Sequence, residues 1–364
     1  MFEIIFIVFI SIYTFQTVLF IIGSKKKFDK VDYADLPSIS ILVAARNEED
    51  NIIDCLESLS KLEYPYEKIE IIIIDDNSTD KTNQLAGQFI KDKEQFILIK
   101  PSQEIGSLKG KTNALANAIR VASGRVILTT DADCIVSPTW AIELASYYKK
   151  DVAMVCGYTD QFSDTNFGGM QSVDFIYLLM IAGGVMNFGK PLSCIGNNMS
   201  YRKSVYEEVG GYEALPFSVT EDFNLLMAMH RLKKYKIIYP LSPKGMVTSK
   251  PCDSLRLLLK QKKRWGVGGL KSDVVGFSVM ATGFVTHIMM LLTPFFFTPL
   301  SLYLSLFKIG VDYFALKGVH EKLNLKLNFK HFLLWEIYFI FYVIALPFMT
   351  LPSQRVEWKG RVYN

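Results

Sequence analysis

Residues 71–80 read IIIIDDNSTD, four isoleucines running straight into two aspartates. Four β-branched residues without polar alternation describe a strand covered on both faces, as in the interior of a parallel sheet. Asp75 and Asp76 then stand at its carboxyl end, the edge of an open α/β sheet where loops and helix N-termini converge on ligands. Ser78, Thr79 and Asp80 are also residues that close turns and cap helices, and for this stretch in isolation the turn-and-cap reading is the simpler one.

The neighbouring segments extend the pattern. SISILVAARNEEDNIIDCLESL (38–59) reads as a strand and then a helix whose Ile52, Ile53, Leu56 and Leu59 recur at helical spacing. KIEIIIIDDNSTDKTNQLAGQFI (68–90) repeats strand and helix, FILIK (96–100) is a short strand, KTNALANAIRVAS (111–123) a helix and RVILTTDADC (125–134) a strand. This order predicts an α/β fold, a mostly parallel sheet with helices on its faces. Polar residues recur at the strand ends: Asn47 and Glu48, then Asp75 and Asp76, then Asp131 and Asp133. Three such sets on one edge make a cleft dense in carboxylates, which is costly unless something cationic sits among them.

Composition sets the rest of the chain apart. Of 364 residues half are hydrophobic, with 26 Phe and 18 Tyr. Residues 1–22, MFEIIFIVFISIYTFQTVLFII, are almost wholly apolar, and GSKKK follows them. A signal peptide would carry its charge before the apolar run, so this order favours an uncleaved anchor, and Lys25, Lys26 and Lys27 place the next segment on the cytosolic side. A second apolar region from Val274 to Ile309 is interrupted at Pro294 and Pro299, as a helical hairpin would be, and HFLLWEIYFIFYVIALPFMTL (331–351) is a third. Strict alternation would leave the basic tail QRVEWKGRVYN outside, so one later segment is expected to be re-entrant or interfacial, giving about four membrane segments. The net charge of +4 is small and the lysine runs lie beside the apolar segments, which favours anionic headgroups and argues against nucleic acid as a partner. Five cysteines without a CxxC pair fit reduced thiols, and four histidines without metal-ligand spacing argue against a zinc enzyme.

Six motifs occur in order: AARNEE (44–49), DDNSTD (75–80), GKTNALANAI (110–119), TTDAD (129–133), TED (220–222) and QKKRW (261–265). Together they resemble the membrane-bound family 2 glycosyltransferases, which have a GT-A catalytic fold. The tail VEWKGRVY (356–363) resembles the carboxyl ends of members that glycosylate lipids of the ceramide, hopanoid or carotenoid type. The resemblance implies an N-terminal anchor (1–24), a cytosolic GT-A domain (25–250), an interfacial amphipathic helix (251–272), C-terminal membrane segments (273–351) and a basic tail (352–364). It places the protein in the plasma or inner membrane, with oligomeric state open.

By the same resemblance Asn47, Glu48, Asp76 and Lys111 bind a nucleotide-diphosphate sugar, expected to be a UDP-sugar, although Ala44 and Arg46 stand where many members have Pro and an aromatic residue. Asp131 and Asp133 would hold Mg²⁺ or Mn²⁺ on the diphosphate, Asp133 the more directly and Asp131 nearer the ribose or sugar. Asp222 is implied as the general base, with inversion at the anomeric carbon. Asn198, Glu221 and Trp265 are implied on the acceptor side, and Gln261 and Arg264 close over the diphosphate. Each has a plainer alternative: a helix cap for TED and DAD, a turn for Asn197 and Asn198, helix lining for Asn113 and Asn117, and a bilayer-surface helix for the lysines of DSLRLLLKQKKRW. GSLKGKT (106–112) is one residue short of a phosphate-binding P-loop, which makes an NTPase the weaker reading. A single transfer to a membrane lipid is the favoured activity; a processive polysaccharide synthase is the alternative, and a non-catalytic membrane scaffold the reading from another class.

Overall fold

Ile71, Ile72, Ile73 and Ile74 are each no more than 1% exposed, as an uninterrupted β-branched run in mid-sheet requires. The computed structural model describes all residues except Phe217, Lys359, Gly360 and Asn364, so part of the expected basic tail lies outside the described residues. In chain order the elements are α1 (Phe2–Ser24), β1 (Ile39–Ala45), α2 (Ile52–Ser60), β2 (Ile69–Asp75), α3 (Thr82–Ile90), β3 (Phe96–Ile99), α4 (Gly110–Val121), β4 (Val126–Asp131), β5 (Cys134–Val136), α5 (Trp140–Ala145), β6 (Val152–Cys156), β7 (Thr159–Gln161) and α6 (Asn166–Met186). They continue with β8 (Met199–Arg202), α7 (Lys203–Glu208), α8 (Glu221–Arg231), β9 (Lys236–Ile238), β10 (Val247–Ser249), α9 (Leu255–Gly269), α10 (Val274–Leu292), α11 (Pro299–Lys322), α12 (Phe329–Thr350), β11 (Val356–Trp358) and β12 (Arg361–Tyr363).

The chain forms two compact units. One comprises Lys26–Asp160 and Cys194–Lys250, the other Met1–Lys25, Gln161–Ser193 and Pro251–Asn364. In the first, the main sheet has, among the described residues, the strand order β3-β2-β1-β4-β8-β6-β9. Strands β3, β2, β1 and β4 are parallel, β8 is antiparallel to β4 and β6, and β9 runs parallel to β6. The mixed α/β sheet expected from the sequence is thus present. Its register sets Ala45 opposite Asp75 and Ala44 opposite Asp131, so the acids ending β2 and β4 flank the end of β1 on one edge. Beneath them Ile41, Val43, Ile73 and Leu128 pack with Leu56, Leu59 and Trp140 in one buried core.

The second unit is helical. Among the described residues four helices are long and apolar enough to cross a membrane: α1, α6, α10 and α12. The expected breaks at Pro294 and Pro299 fall between α10 and α11, where Pro299 opens α11 behind a Thr298 cap. Helix α11 carries Lys308 and Asp312 and is not among the four, whereas α6, which the sequence reading left inside the 25–250 stretch, is. Helix α6 is almost wholly buried, with α1, α11 and α12 packed around it. Small residues permit this: a Cβ at Gly23 would run into the backbone of Gly184, and one at Gly184 into the backbone of Phe20.

Polar groups at the centre of the helical unit are paired across helices. The Tyr13 hydroxyl of α1 donates to Asp312 of α11, 2.8 Å from Oδ1 and 3.0 Å from Oδ2, and lies 2.6 Å from the Tyr177 hydroxyl of α6. Lys308 sits 2.7 Å from Asp312 and 2.8 Å from Glu336 of α12, with all three side chains at most 4% exposed. Asp312 is therefore held from two helices, while Glu336 Oε1 is buried without a hydrogen-bond partner. Asp312→Asn is expected to destabilise the purified protein by about 3–5 kcal/mol, the cost of breaking a buried pair. Glu336→Gln is expected to cost clearly less; thermal unfolding in detergent of both variants decides, and equal losses contradict this ranking of the two acids.

Candidate active site

The two aspartates of the opening stretch have different tasks. Asp75 is 1% exposed and turns inward, its Oδ1 accepting from Ser78 N at 2.9 Å in a turn. Asp76 is held at the strand end by Arg46, whose Nη1 donates to the Asp76 carbonyl at 2.8 Å and lies 3.8 Å from its Oδ2. Asn47 adopts a left-handed conformation, φ 53°, and its Oδ1 accepts from Thr79 N at 2.8 Å, which laces the end of β1 to the loop after β2. Glu48 is buried and its Oε2 accepts from Asn51 Nδ2 at 2.6 Å. The helix that follows β2 has Lys81 at its N-cap and no side-chain cap; Asp80, one residue earlier, accepts from Thr82 N at 2.9 Å through Oδ1, so this acid closes the turn before the helix and does not cap it.

Lys111 is the cation that the carboxylates demand. It lies in the first turn of α4, and its Nζ donates to Asp131 Oδ1 at 2.5 Å and lies 3.5 Å from Glu221 Oε1. Gly196 backs the same point, since a Cβ there would stand 3.4 Å from Asp222 Oδ2 and 3.5 Å from Lys111 Nζ. Asn113 and Asn117 line α4 and fasten the loop before it: Asn113 Oδ1 accepts from Ile105 N at 2.9 Å and Asn117 Oδ1 from Ser102 N at 3.2 Å. Burial alone would drive the Lys111 ammonium down, but Asp131, then Glu221 and Asp222, outweigh it and hold its pKa above the usual lysine range. A lysine spent on three carboxylates is not a P-loop lysine awaiting phosphate.

TED begins α8, but Thr220 makes no side-chain cap; its hydroxyl lies 3.1 Å from Ser218 Oγ instead. Asp222 Oδ1 accepts from Phe223 N at 2.8 Å. Glu221, expected on the acceptor side, is the partner of Lys111. Asn198 requires a correction: it is 0% exposed, its Oδ1 accepts from Trp140 Nε1 at 2.9 Å, and its Nδ2 donates to the carbonyls of Tyr158 and Gly245 at 2.7 and 3.0 Å. An amide so fully committed braces the sheet and has no atom left for an acceptor. Sequence reasoning noted Arg46 only as a departure from the family's aromatic residue and passed over Gly196, whose one signal was a glycine directly before paired asparagines.

Whether the acids suit a divalent ion follows from their donor atoms. Among the described residues no group of three or more His, Cys, Asp and Glu side chains converges as a metal cage. A hard cation held by one or two carboxylates takes its remaining ligands from phosphate and water, so the two oxygen-bearing acids of DAD fit such an ion. Lys111 already engages Asp131, whereas Asp133 meets the weak Cys134 thiol donor at 3.4 Å. Burial, then Asp133 and Asp131, push the Cys55 and Cys134 thiols up, so both stay protonated beside the acids.

Gln261, Arg264 and Trp265 lie on α9 of the helical unit. Of the lysines beside them, Lys262 is 1% exposed, so the expected bilayer-surface role does not extend to it. Leu255 and Leu257 at the start of α9 are exposed and Leu258 is buried.

A parallel half-sheet that delivers acids from three strand ends to one edge, completed by a lysine and a TED helix start, defines a GT-A transferase. The chain belongs to the family 2 glycosyltransferases: the Glycosyl transferase family 2 model matches residues 40–210 and the Glycosyl transferase family group 2 model residues 126–351. It is a membrane-associated enzyme of sugar transfer from nucleotide sugars. It is 25% identical to the probable glycosyltransferase YdaM of Bacillus subtilis, over 89% of this chain and 76% of that protein. It is 31% identical to poly-beta-1,6-N-acetyl-D-glucosamine synthase of Staphylococcus aureus, over 71% of this chain and 61% of that protein. It is 27% identical to beta-monoglucosyldiacylglycerol synthase of a Nostoc species, over 67% of this chain, and spans 51% of that protein. Among solved structures, the mannosyltransferase PcManGT of Pyrobaculum calidifontis, in complex with GDP-Man and Mn²⁺, shares the fold with a TM-score of 0.62 and 17% identity, covering 96% of this chain and 99% of that one.

Replacing Lys111 with Met should lower kcat/KM about 10²-fold, the scale of losing one preorganised charge contact. Because its pKa is raised, its ion-pair contribution is whole below the ordinary lysine value and fades only as pH rises through the higher folded value. The ratio of wild-type to variant activity should therefore stay flat from about pH 7 to about pH 10; a ratio that collapses within that window contradicts the charge network.

Proposed function

We propose that this protein transfers a single sugar from a nucleotide-diphosphate sugar, expected to be a UDP-sugar, to a hydroxyl of a membrane lipid, on the cytosolic face of the plasma or inner membrane and with inversion at the anomeric carbon. The observation that carries the reading is the Lys111 network, which holds Asp131, Glu221 and Asp222 in one neighbourhood. Asp222 takes the proton of the acceptor hydroxyl as its oxygen attacks the anomeric carbon. The bond to the nucleotide diphosphate breaks, and its electron pair leaves with the phosphate oxygen. Asn47, Glu48 and Asp76 hold the nucleoside end of the donor, and Gln261 and Arg264 engage the diphosphate. Asp133, with Asp131 beside it, would hold Mg²⁺ or Mn²⁺, which when bound offsets the diphosphate charge. The Mn²⁺ and GDP-Man of PcManGT support both a metal and a nucleotide-sugar donor.

A lipid acceptor is supported by the exposed Leu255 and Leu257 of α9, which suit a helix lying in a leaflet, and by the diacylglycerol-glucosylating relative. The processive alternative has a relative of its own in the N-acetylglucosamine polymer synthase. Against it stands a helical unit filled at its centre, where α6 is buried and the Tyr177 and Trp335 rings lie 4.8 Å apart. Purified protein given radiolabelled UDP-sugars, divalent metal and a panel of diacylglycerol, ceramide and polyprenyl phosphate should yield one labelled lipid product. A labelled polymer overturns the lipid reading. Asp222→Asn should abolish transfer, by about 10³-fold or more, with donor binding retained; loss of both together contradicts its role as base. Chelation should stop transfer and added Mn²⁺ restore it, and full activity without metal removes Asp133 from the role given to it.

A further inference from the structure

The Q-K-K-R-W segment conceals a buried charge. Lys262 and Asp174 of α6 form an ion pair with both side chains 1% exposed. Asp174 Oδ1 also accepts from Trp335 Nε1 of α12 at 3.2 Å. The Lys262 ammonium lies 4.3 Å from the ring centroid of Trp265, one helical turn on, and 5.4 Å from that of Tyr342. Trp265 in turn packs on Phe175, the residue after Asp174, with centroids 5.5 Å apart. Directly after Trp265, Gly266 lets α9 approach α12, since a Cβ there would meet Leu346 and Thr350 side chains at 2.7 Å.

A buried ion pair is a poor source of stability, because desolvating two charges offsets most of their attraction, and an apolar pair of similar volume often serves as well. What a lysine at this place provides and a leucine does not is direction. Its ammonium must face Asp174, and the same ammonium lies over the indole three residues later, so the orientation of one ring follows from the position of one carboxylate. We propose that Lys262 and Asp174 are positioning residues of the transferase, setting the Trp265 indole in the orientation that the acceptor requires. The inference rests on the acceptor role proposed above for Trp265, and its test separates the two.

The full-length protein labelled with 5-fluorotryptophan gives a Trp265 resonance assigned by its loss in Trp265→Phe. Asp174→Asn and the apolar double variant Lys262→Met with Asp174→Leu are then compared with the unsubstituted protein. The expected result is a shifted Trp265 resonance in both, with kcat/KM for the acceptor reduced about 10²-fold, as a misplaced contact costs, and donor affinity unchanged. The double variant should also regain the thermal stability that Asp174→Asn loses, which separates positioning from folding. An unmoved Trp265 resonance, or full acceptor kinetics in the double variant where Trp265→Ala loses transfer, overturns the inference. A shifted resonance together with a Trp265→Ala variant that transfers normally leaves the positioning intact and overturns the acceptor role of Trp265.

Discussion

A cleft built from acids is possible only with a fixed positive charge inside it, and Lys111 is that charge. Its ammonium joins the end of β4 to the start of α8, parts of the chain some 90 residues apart, through Asp131 and Glu221. The carboxylates bring it there, and its charge offsets their mutual repulsion at close quarters. The Asn113 and Asn117 contacts that fasten the loop before α4 have the same purpose at one remove, because they determine where the first turn of that helix, and hence the lysine, can stand.

The helical unit solves a related problem with other partners. Five of its charged side chains are at most 4% exposed, and they answer one another: Lys308, Asp312 and Glu336 across α11 and α12, and Lys262 and Asp174 across α9 and α6. Tyrosine and tryptophan supply the remaining donors, with Tyr13 on Asp312 and Trp335 on Asp174. Both clusters place a cation between groups from different helices, so each specifies which helix faces which more than it adds to stability.

Much of the sheet was legible because its strands carry a strong signal: unbroken isoleucines, strand ends marked by acids, and helices with apolar residues at regular spacing. The register was not, since pairing Ala44 with Asp131 and Ala45 with Asp75 depends on how neighbouring strands slide. Of the site, the acids and Lys111 were named from motifs, but their mutual arrangement depends on Lys111 choosing Asp131 and Glu221, which no spacing encodes. Asn198 was misread because an asparagine in a loop looks the same whether its amide faces a ligand or three backbone and indole groups. Helix α6 escaped notice for a physical reason too: NFGGMQSVDFIYLLMIAGGVM mixes glycines, Gln171 and Asp174 into its apolar run, as suits a helix surrounded by protein on all sides.

The place of α6 in the chain has a consequence for how the molecule can be made. Synthesis from the amino terminus completes β1 to β7, then α6, and only afterwards β8, β9 and α8, with the TED residues last among the acids. Strands β8 and β9 of the main sheet are therefore made only after an apolar segment from the middle of the polypeptide, which can find α1, already in place, but must wait for α11 and α12, which do not yet exist. Trimming both termini would not release a water-soluble catalytic fragment, because the segment left behind would have lost every surface that shields it. The lipid-embedded and nucleotide-handling parts of this enzyme are bound to a single biogenesis, since the thread of one passes through the other.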